Sequence, residues 1–166
     1  MLQPPLILTV SIDEQSFEYF NALRQQYFPP KLNYLSAHLT LFHALPNDAA
    51  IIDTVKITAQ TQAAFPLLIT TPVSIGRGVA FKIESEELLK LNKQLQQTWQ
   101  PILTPQDKQK LWPHITVQNK VTPHEATMLL AELKQDFTPF TAVATGLQLW
   151  EYLDGPWKLL DAFPFV

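Results

Sequence analysis

The chain has 166 residues, 46% of them hydrophobic, which is enough to bury a sizeable core in one domain or two closely packed lobes and excludes a disordered chain. Twelve Lys and Arg against 15 Asp and Glu leave a net charge of −3, which argues against wrapping long stretches of nucleic acid but leaves room for a small anion in a local pocket. Cysteine is absent, excluding disulfides and thiolate metal sites; with no signal-like start and no bilayer-length apolar run, the expectation is a cytoplasmic chain without a membrane span.

Leu6 to Ile12 reads as a buried strand, and Asp13 as the N-cap of a helix running to about Tyr27, with Phe17, Phe20, Leu23 and Tyr27 at helical spacing. Pro29 and Pro30 end it. A strand follows over about His38 to Ala44, and Asn47 is the expected cap of a helix from about Asp48 to Thr61. Strand signals return in Pro66 to Ile75 and Val79 to Ile83, joined by the Gly76-Arg77-Gly78 turn. Ser85 opens a helix ending near Trp99. A second polar-apolar strand is expected over His114 to Val121, then a helix from the Thr122-Pro123-His124-Glu125 capping box to about Gln135. Phe140 to Tyr152 and Trp157 to Phe163 read as a hairpin turning at Asp154-Gly155. The element pattern suggests an α+β fold, with helices covering one face of antiparallel sheets and the other faces free to line a cleft.

Two strands share one pattern, His38-Leu39-Thr40-Leu41 and His114-Ile115-Thr116-Val117. Alternate strand residues face opposite ways, so each copy sends an imidazole and a hydroxyl to one side and anchors the other in a core. Four His and 15 Thr in this length give about 0.4 His-x-Thr matches by chance, so the second copy carries the argument. The histidines lie 76 positions apart, close to half the chain, which suggests a duplicated unit. Two imidazoles can serve as general base and general acid in one displacement, while threonine hydroxyls donate to non-bridging phosphate oxygens. One alternative is that these are ordinary sheet residues. Another is a metal site, but there is no His-Glu-x-x-His and neither motif holds an acidic residue to complete a ligand set, so no metal is expected.

Ala37-His38-Leu39-Thr40-Leu41-Phe42 and Trp112-Pro113-His114-Ile115-Thr116-Val117-Gln118, placed in two similar halves, resemble the 2H phosphoesterase superfamily, specifically its bacterial 2'-5' RNA ligase-like proteins. The resemblance spans nearly the whole chain and implies one bilobal domain over residues 1–166, with lobes around 38–41 and 114–117. It implies two antiparallel sheets facing each other across a cleft, with helices outside. It implies cleavage of cyclic or 2'-5' phosphodiesters without a metal or cofactor, and in some members the reverse joining. It makes His38 and His114 the acid/base pair, and Thr40 and Thr116 the phosphate-binding hydroxyls.

Further candidates for the cleft wall are Gln118 and Lys120, in phase with His114, Phe42, in phase with Thr40, and Arg77 on its glycine-flanked turn; each has a plain structural alternative. His43 and His124 read as surface or capping residues. The tryptophans read as core or cleft-rim packing. The expected ligand is a small nucleotide or RNA end, with no extended nucleic-acid contact and no indication of oligomeric state. The alternatives are a module that holds such ligands without turnover and a hydrolase of a non-RNA cyclic phosphate.

Overall fold

A computed structural model describes residues 3–166. The elements in chain order are β1 (Leu6–Ile12), α1 (Glu14–Tyr27), β2 (Leu39–Leu45), α2 (Ala49–Gln60), β3 (Phe65–Ser74), β4 (Val79–Glu84), α3 (Glu86–Trp99), β5 (His114–Gln118), α4 (Pro123–Asp136), β6 (Phe140–Tyr152) and β7 (Trp157–Pro164). Short 3₁₀ turns cover Pro30–Leu32 and Gln100–Ile102.

Helix starts follow their capping side chains. Asp13 accepts from Ser16 N at 3.1 Å and also from Val143 N at 2.8 Å, so one carboxylate both caps α1 and ties it to β6. Ser85 caps α3, and Thr122 with Glu125 closes a capping box on α4. At α2 the cap is Asp48 rather than the expected Asn47, whose amide instead donates to the Pro4 carbonyl at 3.0 Å.

All strand pairs are antiparallel and form one sheet, in the order β2-β1-β6-β3-β4-β5 with β7 also on β6. The long strand β6 makes it continuous. Ala144 is the Cα partner of both Ile12 and Phe65, so β1 and β3 lie on opposite edges of β6, and β7 takes the stretch from Gly146 onward. The two facing sheets expected from sequence are thus two wings of a single curled sheet, a half-barrel sharing one strand. The curl brings the ends of the order together, and β2 and β5 touch with no hydrogen-bonded ladder between them.

Helices pack on one face, α1 on β5, α4 on β3 and β4, and α2 on β6 and β7. Apolar residues of the strands turn to that side: Leu6 and Leu8 of β1, Phe81 and Ile83 of β4, and Leu147 and Leu149 of β6 are all fully buried. Phe20 of α1 packs edge-on against Phe81 at 5.3 Å, and Tyr19 against Phe140 at 5.2 Å. The seam between β2 and β5 is closed by side chains. Arg24 of α1 donates to the Thr116 carbonyl at 3.0 Å, Asn92 of α3 to the Leu41 carbonyl at 3.4 Å, and Asp107 accepts from the backbone N–H groups of His43 and Ala44 at 2.9 and 3.0 Å.

Candidate active site

The two motif strands deform at the same place. Leu8 and Thr9 are consecutive on β1, yet their partners are Phe42 and Thr40, so Leu41 is an extra residue in β2; likewise Val79 and Ala80 face Gln118 and Thr116, so Val117 is extra in β5. A one-residue bulge thus follows each motif threonine, and it reverses the side-chain alternation beyond that point. His38, Thr40, His114 and Thr116 remain partly exposed, whereas Leu41, Phe42, Val117 and Gln118 are all buried. Phe42 therefore does not line the cleft. It is fully buried and meets Trp99 of α3 edge-on at 5.2 Å. Gln118 is also drawn in, and its Oε1 has no hydrogen-bond partner among the described residues.

Each histidine ring is fixed in the same way. His38 Nδ1 lies 2.8 Å from the Ser36 carbonyl, and His114 Nδ1 lies 2.7 Å from the Trp112 carbonyl, in both cases two residues back. A carbonyl only accepts, so Nδ1 carries the hydrogen and Nε2 is left to exchange a proton. Each ring also has a tryptophan beside it. Trp112 stacks on His114 with centroids 4.3 Å apart, and Trp157 of β7 stands 4.6 Å from His38. The hydroxyls of Thr40 and Thr116 have no protein partner among the described residues and are free to donate outward.

Arg24 of α1, only 4% exposed, lies within electrostatic reach of His38. Its Nε donates to Asn33 Oδ1 and to the Leu35 carbonyl, both at 2.9 Å, its Nη1 to the Thr116 carbonyl at 3.0 Å, and it stacks 4.0 Å above the Phe28 ring. No carboxylate pairs with it among the described residues. Burial lowers its pKa to about 10, so it stays charged at neutral pH. Asn21, one turn earlier on α1, accepts from Ala37 N at 3.1 Å, so α1 holds the segment leading into His38 at two points.

The surroundings favour neutral imidazoles. Burial pushes His38 down to about 4; its bond to the Ser36 carbonyl opposes this, and the positive charges of Arg24, His114 and His43 add to it. His114 is also lowered, first by burial and then by His43, against the lift from the Trp112 carbonyl. The three histidines thus lie within electrostatic reach of one another. His43, read from sequence as a surface residue, is exposed on β2, with Nδ1 3.1 Å from a carboxylate oxygen of the buried Asp107. Burial raises the Asp107 pKa, but hydrogen bonds from His43 and Ala44 outweigh this and hold it below the usual carboxylate range.

A cavity of about 380 Å³ opens beside His38 and does not extend to His114; Thr9, Tyr34, Gln148, Trp150 and Trp157 help line it. The Trp150 indole donates to Thr9 Oγ1 at 2.9 Å, fixing one wall. Arg77 and Lys120 are not part of this lining. Arg77 is exposed and donates from Nε to the Val121 carbonyl at 3.0 Å, while Val121 N returns a bond to the Arg77 carbonyl. Lys120 lies beyond β5, which ends at Gln118, and its left-handed backbone (φ 62°) breaks the strand phase assumed for it. The sequence alone does not bring out Arg24 or Tyr34, and Trp157 falls among the tryptophans expected in the core or at the cleft rim. Only Arg24 had a local signal, an arginine on the buried stripe of α1 four residues after Phe20.

A single curled sheet with a His-x-Thr strand at each end of its order defines the class, and the comparison with known families agrees. The chain belongs to the 2'-5' RNA ligase superfamily, whose family model matches residues 12–156. Among solved structures it is similar in fold to the Thermus thermophilus protein TT0787, with a TM-score of 0.67 and 16% identity over 97% of both chains. It is also similar to E. coli LigT complexed with 3'-AMP (TM-score 0.62, 18% identity, 99% of both chains) and to LigT complexed with ATP (TM-score 0.61, 17% identity, 100% of this chain and 99% of the other). No curated protein matches the chain at a significant level. No helix among the described residues is long and apolar enough to cross a membrane.

Proposed function

We propose that the chain is a metal-independent phosphoesterase that opens a 2',3'-cyclic phosphate, or cleaves a 2'-5' phosphodiester, in a small nucleotide or at an RNA end. The observation that carries this reading is the matched pair of histidines, each with Nδ1 committed to a carbonyl and Nε2 free. His38, the ring pushed furthest toward its neutral form, accepts a proton from water through Nε2 as the water oxygen bonds to phosphorus. His114, when protonated, gives its Nε2 proton to the ribose oxygen as the bond from that oxygen to phosphorus breaks. In the reverse direction His38 takes the proton from a ribose hydroxyl. Thr40 and Thr116 donate to the non-bridging oxygens, whose charge grows in the transition state. Base, acid and phosphate donors are all side chains of this chain, so the reaction asks for no metal.

A mononucleotide suits the space available. The cavity beside His38 has the volume of a small-ligand pocket, and Trp157 and Tyr34 offer faces on which a base can stack. LigT, which shares the fold, has been seen with 3'-AMP and with ATP. Incubation of the chain with 2',3'-cyclic AMP in the presence of EDTA tests the proposal. Ring opening supports it; binding without turnover would favour a module that only holds the nucleotide, and loss of turnover on adding EDTA would sink the metal-independent mechanism.

A further inference from the structure

We propose that Arg24 is the anion receptor of the cleft, a fixed buried cation set between the two histidine strands that draws the phosphate in and holds both strands in register around it. The inference rests on the phosphoesterase reading above and adds to it a residue outside both His-x-Thr motifs.

Three observations carry it. First, a guanidinium buried away from water is costly unless a counter-charge meets it, and among the described residues Arg24 is met only by neutral groups: the Asn33 amide oxygen and the carbonyls of Leu35 and Thr116. A clip between the two wings would need only a neutral donor, so the unbalanced charge points to an anion that arrives with the substrate. Second, these bonds use Nε and Nη1. Nη2 has no acceptor among the described residues, so its two N–H groups are uncommitted. Third, the side chain spans the seam. It grips Leu35, three residues before His38, and Thr116 itself, so it fixes the spacing of the two halves of the site where the phosphate has to fit. In a chain of net charge −3, such a local cation provides the attraction that the overall charge does not.

The test measures binding of inorganic phosphate to the wild-type chain, Arg24→Met and Arg24→Lys, each shown to be folded by circular dichroism, together with kcat/KM on 2',3'-cyclic AMP across pH. Arg24→Met is expected to weaken phosphate binding about tenfold or more, on the scale of one lost charge-assisted contact. It should also move the acidic limb of the pH profile upward, because removing a neighbouring cation lets His38 take up its proton at higher pH. Arg24→Lys should keep phosphate affinity within about threefold while losing kcat, since a single ammonium cannot grip Leu35 and Thr116 in the same fork. Phosphate affinity within twofold of wild type in a folded Arg24→Met overturns the inference. Should that variant not fold, the wild-type chain decides the matter: added phosphate must shift the Arg24 guanidinium N–H resonances, and their indifference overturns it equally. Phosphate binding through Arg24 without ring opening would leave this inference standing and sink the catalytic one. Ring opening that needs both histidines but ignores Arg24 would do the reverse.

Discussion

His38 and His114 present the same proton to the same kind of acceptor, Nδ1 to the backbone carbonyl two residues back, at 2.8 and 2.7 Å. Because both acceptors are main-chain groups, the shared tautomer is set by the strand's own conformation and no side-chain substitution abolishes it directly. The two rings are therefore equivalent in geometry and differ in electrostatics, His38 alone feeling Arg24 as well as its sister histidine.

That difference gives the pH dependence a sign. With His38 as base, activity rises as pH climbs through its value of about 4; with His114 as acid, activity falls as pH passes a value that lies below 6.5. The kcat/KM profile of the free protein should be a bell with its maximum between about 4 and 6.5. The singly charged cyclic phosphate between the rings stabilises both protonated forms, so the kcat profile should lie at higher pH than the kcat/KM profile. Initial rates on 2',3'-cyclic AMP from pH 3.5 to 8.5 measure both.

Stability carries the same signature. An unfolded His38 titrates near 6.5 and the folded one near 4, so between these values the unfolded chain holds the extra proton. The contribution is intact above pH 6.5, is lost as pH falls toward 4, and is flat below. For a ring that is only partly buried this amounts to ~2 kcal/mol. Denaturant unfolding of wild type and His38→Gln at pH 7 and pH 4 should show the variant losing less on acidification, by about that amount.

Removing a phosphate donor should affect the transition state more than binding. Thr40→Val and Thr116→Val keep the strand and its bulge while deleting a hydroxyl that has no protein partner among the described residues. Each is expected to lower kcat by about 10- to 1,000-fold with KM changed only a few-fold, as for removal of an oxyanion donor. Steady-state kinetics separate the two parameters.

Trp157 is the wall shared by His38 and the cavity. Trp157→Ala should raise KM for 2',3'-cyclic AMP by about 5- to 150-fold, the range of a lost base–aromatic stack, with a smaller effect on a cyclic phosphate that carries no base. An equal effect on both substrates would place the tryptophan's role in supporting His38 instead.

At the far end of the seam, Asp107 accepts from His43 N, Ala44 N and His43 Nδ1. Its replacement by Ala leaves two edge N–H groups of β2 unpaired and is expected to cost about 2–4 kcal/mol, read as a lowered denaturation midpoint.

Much of this architecture was legible in the residues. Strand and helix periods, the Thr122 capping box and the Asp154-Gly155 turn placed nearly every element, and the repeated His-x-Thr pattern picked out the strands at both ends of the sheet. What failed was extrapolation by strand phase. Phe42 and Gln118 were assigned to the cleft by counting in twos from the threonines, and the matched bulges at Leu41 and Val117 turned both inward. A bulge is a property of the ladder between two strands, so neither strand's own sequence announces it. Lys120 failed for a related reason, since β5 stops two residues earlier. Trp157 reaches His38 from 119 residues away along the chain, through a sheet closure that no local pattern encodes. The two facing sheets became one because β6, at 13 residues, is long enough to serve both wings.

The measurement that bears most directly on the two-histidine mechanism is hydrolysis of 2',3'-cyclic AMP by wild type, His38→Ala and His114→Ala, with circular dichroism confirming that each is folded. Each single variant is expected to lose about 10²–10⁴-fold in kcat, the weight of one positioned proton-transfer group, and the double variant to lose little more than the worse single one because the pair acts as a unit. Full activity in both single variants would contradict the account.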